Sequence, residues 1–248
     1  MEHKSGCLVC GEALVYAEHE FAAQCFYCGA ATSTTVTCTN RHYVCDPCHS
    51  GSANELIQRY CATTETAAPL EMALTLMRNP KVKMHGPEHH FLVPAVLLAA
   101  YANRAGASQE DRATKAKKIE IARRRAEDIK GGFCGFCGNC GAAVGTGIFL
   151  SVLTGATPLS REEWRLSNLV TAESLLAIAN LGGPRCCKRD TFLAIQTAVA
   201  FLRRELRADL ELPEPIRCEF NSLNKECIRG ACPFSTQALR TAHPEGAP

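Results

Sequence analysis

The spacing of apolar positions changes part-way along the chain and divides it in two. Up to about residue 62 there are only short alternating patches, such as Leu14-Val15-Tyr16, among Cys, Gly, Thr and His. A segment so poor in apolar residues builds no core without metal. From Pro69 the period becomes helical: Pro69 suits a first helical turn, and Leu70, Ala73, Leu74 and Met77 share one face. After the break at His85-Gly86-Pro87, an apolar helix is expected from Glu88 to about Asn103, with Pro94 early enough to be tolerated or to bend it. Ser108 and Asp111 have capping-box spacing and open a charged helix expected to end at Gly131-Gly132. Small residues predict a helix from Gly141 to Leu153, followed by a turn at Gly155 to Pro158 and a helix around Trp164. Thr171 or Ser174 is read as starting a further helix that ends near Gly182-Gly183-Pro184. Phe192, Ile195, Val199, Leu202 and Leu206 make the clearest amphipathic stripe, with Asp190 as the expected cap and Pro213 and Pro215 as its end. No strand pattern appears after residue 65.

The expected fold is therefore mainly α. A small N-terminal zinc-ribbon or knuckle module spans 1–62, an all-α helical domain spans 66–234, and a mobile tail spans 235–248.

Composition adds the chemistry. Sixteen of the 248 residues are cysteine. A chain this long buries an ordinary core, so bound metal explains them better than the disulfides of small secreted domains. No apolar leader precedes Cys7, and no stretch reaches the roughly 18 uncharged apolar residues of a membrane span. The expectation is a cytoplasmic protein. A net charge of +2 gives no electrostatic case for nucleic acid or an anionic membrane.

Cys7-x2-Cys10-Gly11 and Cys25-x2-Cys28-Gly29 are two knuckles, in which the turn brings both sulfurs to one ion and the glycine accepts the backbone angles needed. Together they offer one tetrahedral set of four thiolates. Cys38, His42, Cys45 and Cys48 offer a second, so two zinc ions are expected. Whether consecutive pairs join or interleave as a cross-brace is open from spacing. His49 and Cys61 are left over. Four protein ligands leave no position for water, so the module reads as structural or as a docking element for a protein partner, with Arg41, Arg59 and Tyr43 as its basic and aromatic handles.

Cys134-x2-Cys137-x2-Cys140 is the three-ligand part of a ferredoxin-type run. A fourth thiolate is sought from Cys186 or Cys187, or from the terminal set Cys218, Cys227 and Cys232. The surplus of thiolates and the lack of an interleaved histidine favour a 4Fe-4S cluster, with a zinc knuckle as the alternative. His89 and His90 lie at a helix start, where the charged imidazole is disfavoured, and read as a neutral base or ligand. Lys188 and Arg189 follow the Cys-Cys pair where a substrate anion would sit. The run from Lys115 to Arg125 carries interspersed glutamates and reads as a solvated helix face. No nucleotide loop or hydrolase constellation is visible.

Cys140-Gly-Ala-Ala-Val144-Gly145 with Val152-Leu-Thr-Gly155-Ala-Thr-Pro158 resembles the cluster region of the iron-sulfur L-serine dehydratase alpha chain. Cys186-Cys-Lys-Arg189-Asp190 and Leu92-Val-Pro94-Ala-Val-Leu97 are similar to two further segments of that family. The resemblance implies a helical catalytic domain whose cluster is held by three cysteines, with one iron open to substrate. Cys140 and Cys186 carry over. The middle cysteine has no counterpart between Ala177 and Pro184, and Ala143 replaces the family's acidic residue. The whole arrangement also resembles an uncharacterised cysteine-rich family of anaerobic bacteria and archaea. Two functions follow as expectations. One is a lyase-like elimination or sulfur-handling reaction on a small thiol or hydroxy substrate, at an open iron. The other is a non-catalytic metal-binding adaptor that docks a partner through its zinc module and stores or relays a cluster.

Overall fold

A computed structural model describes residues 6–235. The expected tail lies, from residue 236 on, outside the described residues. Two strands, β1 (Leu14–Gln24) and β2 (Ala31–Cys38), pair antiparallel with Leu14 opposite Cys38 and Gln24 opposite Ala31. Both belong to the cysteine-rich segment, and no further strand occurs among the described residues. The β1 face is mostly exposed, so the hairpin contributes little to the core.

The helices are α1 (Asp46–Ser50), α2 (Ala53–Thr63), α3 (Pro69–Arg78), α4 (Glu88–Asn103) and α5 (Gln109–Glu127). They continue with α6 (Phe133–Phe136), α7 (Gly141–Thr154), α8 (Glu162–Leu181) and α9 (Cys187–Phe201). Helix α9 runs on through a π-helical turn, Leu202–Leu206, which ends at Arg207 with φ 52°.

Helix α4 is the axis of the domain. It is apolar on every side, which is stable only if neighbours cover it all round. Helices α2, α3, α5, α7 and α9 do so, and Phe91 through Ala100 are all buried. Pro94, seven residues in, is accommodated without ending the helix. The small residues of α7 set its two contacts. A Cβ on Gly145 would lie 2.9 Å from Pro94 Cδ and 3.0 Å from the carbonyl oxygen of His90, so only glycine lets α7 approach α4 this closely. A Cβ on Gly147 would lie 3.0 Å from the Ser167 carbonyl of α8, on the other side.

Two expectations about helix boundaries are corrected. Helix α8 is continuous through Thr171 and Ser174. The Thr171 hydroxyl donates to the Ser167 carbonyl at 2.9 Å, and buried Ser174 bonds Thr146 of α7 at 3.0 Å. Both hydroxyls are spent on a continuing helix and its neighbour, so neither caps. Asp190 is not the cap of α9 either. Cys186 holds that position, and Asp190 sits one turn inside, buried beside Arg189. Helix α5 stops at Glu127, a few residues before the glycine pair, while its Ser108–Asp111 capping box is formed as expected.

The cysteine-rich segment is bonded to the helices through Tyr27. This buried ring lies between Cys25 and Cys28, two of the expected metal ligands. Its hydroxyl accepts from Asn79 Nδ2 at 3.0 Å, just past α3, and donates to the Leu8 carbonyl at 3.2 Å. Helix α2 buries Leu56, Ile57 and Cys61 against α4 and α5 and so shares the helical core.

Candidate metal centres

The module brings its eight expected ligands into two groups, Cys7, Cys10, Cys38 and His42, and Cys25, Cys28, Cys45 and Cys48. The pairs therefore interleave as a cross-brace. Grouping the first two knuckles on one ion is corrected: β1 carries the chain away from the first knuckle before the second begins, and β2 brings Cys38 back to it. His42 Nδ1 lies 3.3 Å from Cys10 Sγ, 3.5 Å from Cys38 Sγ and 4.0 Å from Cys7 Sγ, and Cys10 and Cys38 are 3.8 Å apart. A tetrahedron around zinc has edges of about 3.8 Å between sulfurs and about 3.6 Å between sulfur and nitrogen, from its usual bond lengths. The first group has these edges. In the second, Cys28 and Cys45 are 3.6 Å apart. Both sites fit a metal ion such as zinc.

Backbone donors set up both sites. Val9 N–H points at Cys7 Sγ, His42 N–H at Cys38 Sγ and Cys45 N–H at Cys25 Sγ, at 3.3 to 3.4 Å. Gly11 and Gly29 close the knuckle turns at φ 79° and 67°, a region that favours glycine. Burial raises the Cys25 thiol, but the N–H donors of Cys45, Cys28 and Tyr27 outweigh it and carry it down to about 7. Burial pushes Cys7 up to about 11. His49 is exposed and belongs to neither group. Cys61 is fully buried in α2 and is a packing residue.

The remaining cysteines lie around the start of α9, on two sides of it. Cys134 and Cys140 line an open cleft of about 890 Å³ together with Arg185, Arg189 and Asp190. Cys137 is exposed. Cys140 Sγ lies 3.9 Å from Asp190 Oδ2, and burial, with the Asp190 carboxylate, raises its thiol to about 11. Burial raises the Cys187 thiol to about 12. Cys186 turns the other way, into a second and smaller hollow that it shares with Cys218, Cys227 and Cys232. The structure thus separates Cys186 from the Cys134–Cys140 run and joins it to the C-terminal cysteines. No spacing in the sequence marks that grouping, because the loop after α9 makes it by folding back.

The side chains expected to act on a substrate are engaged elsewhere. His89 is buried, with Nδ1 3.0 Å from Thr191 Oγ1 and Nε2 3.1 Å from the Lys83 carbonyl. Burial, helped by the positive charge of Lys188, holds it well below the ordinary histidine range. His90 Nδ1 donates to the Ile129 carbonyl at 3.1 Å, and its ring lies over Gly141. Burial lowers its pKa too. The Lys188 ammonium donates to the Val82 carbonyl at 2.9 Å and the Met77 carbonyl at 3.3 Å, and burial lowers it to about 8. Arg189 donates to the carbonyls of Gly182 and Pro184, both at 2.9 Å, and lies 3.4 Å from Asp190.

No helix among the described residues is long and apolar enough to cross a membrane. A family model described as a family of unknown function (DUF5714) matches residues 57–235, which takes in every cysteine from Cys61 to Cys232 and leaves the eight ligands of the cross-brace outside. No curated protein and no solved structure matches the chain.

Proposed function

Because the chain belongs to this family of unknown function, whose extent is the helical domain, we propose that the domain's role is to carry an iron-sulfur cluster, with the two-zinc cross-brace as a structural attachment. Of the two expected functions, the geometry favours the non-catalytic adaptor that stores or relays a cluster. One observation carries this choice: His89 spends both ring nitrogens on Thr191 and the Lys83 carbonyl, and the buried Lys188 ammonium is held by two backbone carbonyls. A base needs a free lone pair within reach of the proton it takes, and an anion clamp needs free donors. The imidazole between a carbonyl and a hydroxyl has no lone pair to spare, and the ammonium is turned inward onto two carbonyls. The Cys134–Cys140 cleft is a thiol-lined surface of the same domain.

Anaerobic reconstitution of the full chain with iron and sulfide tests the reading. It should yield protein that holds iron in addition to two zinc ions, with a Mössbauer spectrum unchanged by L-serine or L-cysteine. Absence of iron uptake would overturn the cluster, and a single iron site shifted by either amino acid would restore the open-iron lyase.

A further inference from the structure

The geometry points to Cys186, Cys218, Cys227 and Cys232 as the complete ligand set of a 4Fe-4S cluster, closed by four thiolates and tuned by Asn224. This inference rests on the cluster-carrying reading above and names its site.

The four cysteines come from two places. Cys186 is the residue before α9, and the other three lie on the loop that returns after the π-helical turn, which is fastened by the bond from Cys218 N–H to the Phe234 carbonyl at 2.8 Å. They face one hollow whose wall is otherwise mostly apolar, with Phe192, Phe220 and Phe234 among its residues. Two of the four sulfurs accept a backbone N–H. Phe220 N–H reaches Cys218 Sγ and Arg229 N–H reaches Cys227 Sγ, both at 3.4 Å. Such donors favour thiolate over thiol and are the usual means of tuning a cluster's sulfurs. The same device prepares the two zinc sites, yet the spacing here is different. Among the described residues only the two cross-brace groups bring three or more ligand atoms within 4.8 Å of one another. Any three of these four sulfurs therefore include a pair farther apart than that, whereas one zinc ion needs edges of about 3.8 Å. Thiolates spread around a hollow suit a polynuclear cluster, whose irons occupy separate corners.

Asn224 supplies the second observation. It is 6% exposed, lies on the wall of the hollow, and its Nδ2 is a buried donor with no partner. The amide orientation is fixed, because Oδ1 accepts from Glu226 N–H at 3.1 Å and bonds His85 Nε2 at 3.2 Å. An unpaired buried donor is costly unless something accepts from it. A cluster sulfide or thiolate does so here. Arg189, the one fully charged side chain on the wall, is a cation and suits the net negative charge of a cluster with four thiolates. With four cysteine ligands no iron is open, so the centre exchanges single electrons or holds the C-terminal loop in place.

The test uses the full chain, reconstituted anaerobically with ferrous iron and sulfide, and counts zinc and iron together. Wild type should hold two zinc ions and about four irons. Cys218→Ser and Cys232→Ser should each lose most of the iron and keep both zincs, which shows that the fold survives. Cys134→Ser and Cys140→Ser should keep the iron. Asn224→Leu should keep the cluster and shift its reduction potential negative, since a donor to sulfur is removed. Alkylation of the wild-type holoprotein adds a reading that needs no variant: Cys137 should label, and the four ligands should be protected. Iron that survives in Cys218→Ser and Cys232→Ser but is lost in Cys134→Ser and Cys140→Ser would overturn this ligand set while leaving a cluster protein. A third zinc in place of iron would overturn the cluster at this site. No iron in any form would overturn the functional reading itself.

Discussion

Replacing Tyr27 by phenylalanine removes one oxygen at the junction between the zinc module and the helices and leaves the ring's packing intact. The hydroxyl receives the Asn79 Nδ2 proton and gives its own to the Leu8 carbonyl. Asn79 is fully buried, and its Oδ1 is held by Lys81 N–H at 3.0 Å, so the side chain cannot turn to find water. The variant therefore strands a buried donor, at a cost of about 1–3 kcal/mol. A urea titration at saturating zinc, followed by helical circular dichroism, measures it. The midpoint should fall at unchanged slope, because the surface exposed on unfolding hardly changes. Paired with Asn79→Ala in a double-mutant cycle, the two losses should fall short of additivity by about 0.5–3 kcal/mol. Zinc content should stay at two. A midpoint equal to wild type, or additive losses, would refute the claim that this bond joins the module to the helical domain.

The interleaved pairing is tested by Cys7→Ser combined with Cys28→Ser: the double variant should lose both zinc ions, whereas consecutive pairing predicts the loss of one, as atomic absorption would show. At Gly145, valine puts branched bulk into the α4–α7 contact and should cost about 1–3 kcal/mol or more by thermal melting, while a stability equal to wild type would mean that the helices can move apart. The stability of the helical domain should also depend on acid through His89. Its folded pKa is depressed by burial and then by Lys188, with His90 and His85 adding smaller positive contributions, so below about pH 6.5 the unfolded chain takes a proton that the folded one refuses. This stability is complete above that pH and is lost below it, with a slope of up to about 1.4 kcal/mol per pH unit. His89→Gln should flatten that part of the pH profile in urea titrations between pH 5 and 7, and an unchanged slope would count against the assignment.

The periodic parts of the chain were legible without coordinates. Helix α4 has the limits expected from Glu88 to Asn103, the capping box at Ser108 is formed, and the stripe from Phe192 to Leu202 is buried, because each depends on residues within a few turns of one another. The eight ligands of the cross-brace were likewise identifiable from Cys-x2-Cys turns, which are local. What local spacing could not supply was partnership between distant segments. The hairpin decided that Cys38 and His42 return to the first knuckle, and a hydroxyl bond across two helices decided that Ser174 continues α8. The largest difference lies at Cys186 and Cys187. They are adjacent in sequence, but the first turn of α9 puts Cys186 in the hollow of the C-terminal cysteines and leaves Cys187 outside it. Sequence determined that this protein gathers thiolates. Only the tertiary fold decided which of them meet, because ligand sets closed over long loops are fixed by packing, not by spacing.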